Sequence, residues 1–328
     1  MRSLILCLFL PLAFGQGAQE RVFHFQSSDT TEDMQEIGTL IRGIGDIAEL
    51  SVDTSQQTLT VRGAADRIAL SEWVFQSLDG GQPRDSGKEY RLSLSGDEVA
   101  AIFYVNTPTV QQFQEIATAV RSTADIRRLF TYNAPRAIMA RGTASQIALA
   151  GWMFRQMDKP AVGQGASPSQ VSEPNEFRNP DGGDDVVRVF YLTNTSTTAE
   201  FQELVMLIRS ITGARRAFTY NAPRAFAVRG TAEQIALAAW LADELDTPAR
   251  QGQGLSAHEY KVEKGRDDLV RVFYLDPSYT VAAFQKQAND LRKTTNTRLA
   301  FTYDGPRALV MRGTANELTW ADQLLNAK

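Results

Sequence analysis

The residues best suited to chemistry are few and badly spaced for it. Only two histidines occur, His24 and His258. Neither stands in a His-x-x-x-His pair or a Ser/His/Asp-like arrangement, so both read as hydrogen-bonded or solvated side chains. Gly252 and Gly254 make a Gly-x-Gly with no helix behind it, and a phosphate loop needs that helix N-terminus. The one cysteine, Cys7, lies in the apolar opening of the chain. Arg127-Arg128 and Arg215-Arg216 are local basic pairs on a chain of formal charge -4, against the broad positive surface that nucleic acid requires. No acid–base pair, metal set or cofactor motif emerges. The expectation is a protein that is not an enzyme and carries no cofactor and no metal.

Residues 1–18 read as a secretory signal. Arg2 supplies the positive start, an apolar run follows to Leu12, and Ala13-Phe14-Gly15 offers small residues for cleavage. About 11 apolar residues fall short of the ~20 that span a bilayer. Removing this segment takes away Cys7 and Arg2, so the exported chain would carry a charge of -5 and no thiol. Disulfides, zinc–thiolate sites and a cysteine nucleophile are then excluded together. The expected location is periplasmic or secreted, with no transmembrane segment in the exported chain.

The remainder is organised by an internal repeat. Arg-Gly pairs recur at Arg62-Gly63, Arg141-Gly142, Arg229-Gly230 and Arg312-Gly313, and between Phe130–Trp152 and Phe218–Trp240 18 of 23 positions are identical. Each copy opens on a Val-, Phe- and Tyr-rich run suited to a half-buried strand. A helix follows, with Phe201, Leu204, Val205 and Ile208 at i, i+3, i+4, i+7 and a Thr197-x-x-Glu200 capping box. Two short strands flank a turn, Asn133-Ala134-Pro135-Arg136 in the second copy and Asp304-Gly305-Pro306-Arg307 in the fourth. The threonine after Arg-Gly caps a second helix: Thr143 with Gln146, Thr231 with Gln234, Thr314 with Glu317.

The fold class is therefore α+β, with four tandem β-α-β-β-α domains at 21–79, 89–158, 186–246 and 269–328, each a small three-stranded sheet carrying both helices on one face. Between them 159–185 reads as a flexible linker and 247–268 as a shorter one, being rich in Gly, Pro, Ser, Gln and charge.

Phe190-Tyr191-Leu192, Val228-Arg229-Gly230-Thr231 and the closing Leu245-Asp246-Thr247-Pro248 together resemble the N-domain of secretins, the ring-building modules stacked below outer-membrane pores of bacterial secretion and type IV pilus systems. The resemblance covers nearly all of 21–328, as four copies, and rests on structural residues instead of a chemical site. It implies a soluble scaffold or docking protein of a cell-envelope assembly, with protein partners: a secretin, or further copies of this chain. No series of amphipathic strands follows the fourth copy in this sequence, so pore formation is not implied. In topology the unit also resembles KH RNA-binding domains, but no copy has their Gly-x-x-Gly loop between helices, which makes nucleic acid an unfavoured partner.

The second helix carries the sharpest signal. Ile68, Phe75 and Leu78, like Ile147, Phe154 and Met157, make the stripe that faces the helix's own sheet. A second apolar pair, Leu70 with Trp73, Leu149 with Trp152 and Leu237 with Trp240, falls about 140° to 200° away from the stripe at 100° per residue. In the fourth copy Trp320 and Leu324 place the bulk on that side. These eight residues are the candidate interface, either with the next repeat or with another chain. A ~60-residue domain buries only about 60% of its unfolded surface and gains from such a contact. The alternative is a periplasmic ligand-binding module for glycan, cell wall or nucleic acid on the outer sheet face, where Arg62, Arg141, Arg229 and Arg312 would point.

Overall fold

A computed structural model describes residues 18–79, 86–92, 98–158, 176–180, 185–247, 257–262 and 268–326. The signal expected at 1–18 lies outside these but for its last residue, as do most of the two expected linkers.

The same element order recurs in four sets. Set one is β1 (Gln19–His24), α1 (Thr31–Gly45), β2 (Glu49–Asp53), β3 (Thr58–Gly63) and α2 (Ala65–Asp79). Set two is β4 (Lys88–Arg91), β5 (Glu98–Tyr104), α3 (Val110–Ala124), β6 (Arg128–Tyr132), β7 (Ala137–Thr143) and α4 (Ala144–Met157). Set three is β8 (Glu176–Arg178), β9 (Val186–Tyr191), α5 (Thr198–Thr212), β10 (Arg216–Tyr220), β11 (Ala225–Gly230) and α6 (Ala232–Leu245). Set four is β12 (Ala257–Lys261), β13 (Leu269–Tyr274), α7 (Val281–Thr295), β14 (Leu299–Tyr303), β15 (Ala308–Gly313) and α8 (Ala315–Asn326).

The α+β class stands, and the paired strands whose register is given run antiparallel. The strand count needs correction. Set one has the expected three strands, in the order β1-β3-β2, but the other sheets have four: β4-β5-β7-β6, β8-β9-β11-β10 and β12-β13-β15-β14. The added edge strands lie in or beside segments read as linkers. They are too short and polar to signal themselves, and each is held by pairing to the first long strand of its set.

Local sequence explains the helix ends. Thr143, Thr197 and Thr231 each cap a helix through a full capping box, with side chain and backbone bonded reciprocally to Gln146, Glu200 and Gln234. Thr314 and Glu317 exchange the same two bonds at the start of α8. Each second helix in sets one to three closes on an aspartate that accepts backbone N–H groups from the residues after the set's first long strand: Asp79 from Gln26, Ser27 and Ser28, Asp158 from Asn106, and Asp246 from Thr193 and Asn194. The left-handed residue of the hairpin turns is neither Asn nor Gly. It is Arg136, Arg224 and Arg307, at φ 54°, 54° and 53°, closed by a backbone bond back to residue 133, 221 or 304.

Within sets one, three and four, alternate strand residues and the helix stripes share a core. Phe113, Phe201 and Phe284, all at the fourth position of the first helix, are fully buried. In set three the Phe190 and Phe226 rings stack 4.8 Å apart beneath the helices. By contacts the chain divides into two compact units, Met1–Tyr104 with Phe130–Arg141, and Val105–Leu129 with Gly142–Lys328. The division runs through set two, whose first strands and hairpin group with set one. A sheet therefore belongs as much to the set before it as to its own helices.

Candidate interaction surface: the junctions between consecutive sets

Within each unit, the outer face of a sheet packs on the helices of the preceding set, and the same few residues make the contact each time. The sixth residue of the first helix is a glutamate that accepts the backbone N–H at the start of the next hairpin turn. Glu36 accepts from Asn133 at 3.1 Å, Glu115 from Asn221 at 2.9 Å, and Glu203 from Asp304 at 2.9 Å. Eight residues further along the same helix, a carbonyl accepts from the arginine of the next Arg-Gly pair. Arg141 donates to Ile44 O at 2.9 Å, Arg229 to Thr123 O at 2.7 Å, and Arg312 to Ile211 O at 2.7 Å. Eight helical residues rise about 12 Å, and the strand from Ala137 to Arg141 spans about 13 Å. Helix and strand are thus pinned in register at both ends.

Physical chemistry favours each pin. The carbonyls of a last helical turn lack intrahelical donors and lie at the negative end of the helix dipole, where a guanidinium is stabilising. Each arginine is also gripped from its own set: Arg141 by Glu98 at 2.8 and 2.5 Å, Arg229 by Asp185 at 2.8 and 2.5 Å, and Arg312 by Asp268 at 3.0 and 2.6 Å. Hydrogen bonding to Arg229 holds the Asp185 carboxyl below the usual range, and the same bond raises Arg229. Burial pushes Glu203 upward, opposed by the N–H of Asp304. In the first junction Gly43 is required by close approach, since a Cβ there would collide with the Phe130 ring.

The second helix adds two further contacts. A tyrosine ending the first long strand donates to the carbonyl of the thirteenth residue of the preceding second helix: Tyr104 to Ser77 at 3.0 Å, Tyr191 to Gln156, and Tyr274 to Glu244 at 2.9 Å. The aromatic of the added edge strand meets the tryptophan: Trp73 with Tyr90 at 5.6 Å between centroids, Trp152 with Phe177 at 5.8 Å, and Trp240 with Tyr260 at 5.4 Å. Tyr132, Tyr220 and Tyr303 end the first strand of each hairpin. They are buried, which pushes the first two phenols up to about 12 and raises the third as well.

The eight candidate interface residues are not in equivalent settings. Leu70, Leu149, Trp152 and Leu237 are buried, and Trp73 and Trp240 are partly buried beside the next set's edge strand. Leu324 is partly buried against the core of set four, and Trp320 is 46% exposed. The outer-face alternative needs correction. Arg141, Arg229 and Arg312 do point away from their own helices, but their donors are taken up by a carbonyl of the preceding set and a carboxylate of their own. Only Arg62 keeps an open aspect, with a side chain 55% exposed and a 3.5 Å pair to Glu49. The glutamates, the tyrosines and the edge-strand aromatics were not singled out from sequence. Their signal was available as recurrence at fixed offsets, most visibly the Glu-aromatic-basic triplets at 89–91, 176–178 and 259–261.

Among the described residues no helix is long and apolar enough to cross a membrane, and no cluster of three His, Cys, Asp or Glu is placed to hold a metal. No family model matches the chain, and no curated protein matches it. Among solved structures it is similar to the N-terminal domain of the secretin XcpQ from Pseudomonas aeruginosa, at 16% identity over 43% of this chain and 62% of that one, with a TM-score of 0.19. It is also similar to Aeromonas hydrophila ExeD, at 14% identity over 79% of this chain and 44% of that one, TM-score 0.17. A third is the ETEC pilotin–secretin AspS–GspD complex, at 13% identity over 91% and 59%, TM-score 0.17. The chain thus spans less than two thirds of the length of each of these. These likenesses are loose, and the reading of function rests on the chain's own residues.

Proposed function

We propose that the chain is an exported, non-enzymatic scaffold or docking protein, built of secretin N-domain-like sets, that mediates protein–protein association in a cell-envelope assembly of the secretion or type IV pilus kind. One observation carries the reading. At each of the three junctions a recurring Glu, Arg and Tyr hydrogen-bonds across to the neighbouring set. A chain that uses its repeated polar groups in this way serves as a support on which other proteins assemble. The opening segment supplies the export signal, and the residues that resemble secretin N-domains supply the class of assembly. Ligand binding on the outer sheet face is not retained, because three of its four arginines, Arg141, Arg229 and Arg312, are occupied.

Fractionation of cells carrying a tagged chain, followed by native mass determination, tests this. The proposal expects the chain in the envelope fraction, shortened at its start and in a complex heavier than itself. A free monomer retained in the cytoplasm would overturn it.

A further inference from the structure

We propose that the free edge of β1 takes an extended strand from a partner protein, added antiparallel in the place that β4, β8 and β12 fill in the other sets. The added segment carries a glutamate opposite Arg21, within a Glu-aromatic-basic run. Among the described residues set one alone lacks a fourth strand, so β1 lies at the edge of its sheet, whereas β5, β9 and β13 are each paired on that side. An unpaired edge presents a row of N–H and C=O groups ready to take another strand. Beside β1 lies a groove of about 450 Å³, lined by Arg21, Val22, Phe23, Phe75, Gln76 and Asp79 among others.

The chemistry of the occupant is written in this chain three times. The strands that fill the equivalent place read Glu89-Tyr90-Arg91, Glu176-Phe177-Arg178 and Glu259-Tyr260-Lys261. In two of them the glutamate lies directly opposite an arginine of the long strand and pairs with it: Glu176 with Arg188 at 3.4 Å, and Glu259 with Arg271 through Nε at 3.0 Å. Arg21 is the matching residue of β1, since Arg21-Val22-Phe23 aligns with Arg188-Val189-Phe190 and Arg271-Val272-Phe273. The exposure of the three guanidinium side chains follows the covering strand: 30% for Arg188 and 16% for Arg271, against 57% for Arg21, whose cross-contact is a 3.5 Å pair with Glu72 on α2. The 18 residues ahead of β1 contain no Glu-aromatic-basic triplet. This edge is separate from the junctions on which the scaffold reading rests, and it stands or falls without them.

The probe is a fluorescent peptide with the sequence of residues 257–262, Ala-His-Glu-Tyr-Lys-Val, titrated against the full exported chain. Saturable binding is expected, with slowed amide exchange in β1. Changing the peptide glutamate to alanine, or making Arg21→Ala in the chain, should each weaken binding about fivefold, and the two losses should not add. Arg21→Glu paired with a lysine in the peptide should restore binding, and because Arg21 is exposed these variants keep the fold. No binding would overturn the proposal and mark the edge as blunted by Glu20 and Arg21. Protection appearing at β13 with β1 unchanged would also overturn it, as displacement of β12.

Discussion

The helices α5 and α7 hold the same place in consecutive sets, and the difference between them separates what folds a set from what joins it to the next. Facing their own sheets they agree: Phe201 and Phe284 are fully buried, and Ile208 and Leu291 lie one turn-pair further along. On the face that meets the following set, α5 has Glu203, Leu207 and Ile211, with Leu207 and Ile211 buried, while the matching residues of α7 are Lys286, Asp290 and Thr294, all exposed. Lys286 and Asp290 pair along their own helix at 2.9 Å. The second helices differ in parallel. Trp240 packs on Tyr260, whereas α8 puts Gln323 at that position and moves its tryptophan to Trp320. An amphipathic helix thus suffices for a set, and between α5 and α7 the second apolar face goes with the described set that packs on it.

Substitutions can break this comparison, and the largest effect belongs to the buried face. Leu207→Asp places a carboxylate in the junction and should destabilise the chain by about 4 kcal/mol or more in urea denaturation. The reverse change at the matching site, Asp290→Leu, should stay within about 0.5 kcal/mol. Next come the arginines. Arg312→Met leaves Asp268 and the Ile211 carbonyl without their donor and should cost about 2 kcal/mol, while Arg62→Met at the open face should be near neutral. Equal losses at the two arginines would contradict the account.

Smaller effects come from the pins at the hairpin turns and from pH. Glu203→Gln keeps an acceptor but removes the charge, and about 1 kcal/mol should be lost; Lys286→Gln should lose almost nothing. The junction phenols are held neutral by burial, with Tyr132 and Tyr220 raised from 10.0 to about 12. A folded-state value above the unfolded one means that this stabilisation is complete below pH 10 and is lost as pH rises toward 12, where the unfolded chain sheds protons that the folded chain retains. Denaturation midpoints should fall over that window, and the fall should be shallower for Tyr220→Phe.

Much of the fold was legible because it is set locally. Thr-x-x-Gln and Thr-x-x-Glu boxes, the 3.6-residue stripes and the period-two strands each act within a few residues, so sequence showed four β-α-β-β-α sets. The edge strands were not legible. Glu176-Phe177-Arg178 is three residues long in polar surroundings, and what holds it is pairing with β9 and the ring of Trp152, both distant in sequence. The arginines show the same limit. Alternation places Arg229 away from its own helices, but only the packing of the preceding set reveals the Thr123 carbonyl waiting there. Trp320 stands apart from the other three tryptophans because its helix position differs by three residues, a shift visible in the pattern, which places its bulk on the same side but does not show that the ring is left 46% exposed.

The central claim, that recurring residues exist to join consecutive sets, is tested most directly by a double-mutant cycle on Trp240 and Tyr260, whose rings lie 5.4 Å apart across the junction of sets three and four. Chemical denaturation of Trp240→Ala, Tyr260→Ala and the double variant should give a coupling energy of about 0.5–1.5 kcal/mol. Losses that add, leaving no coupling, would contradict it.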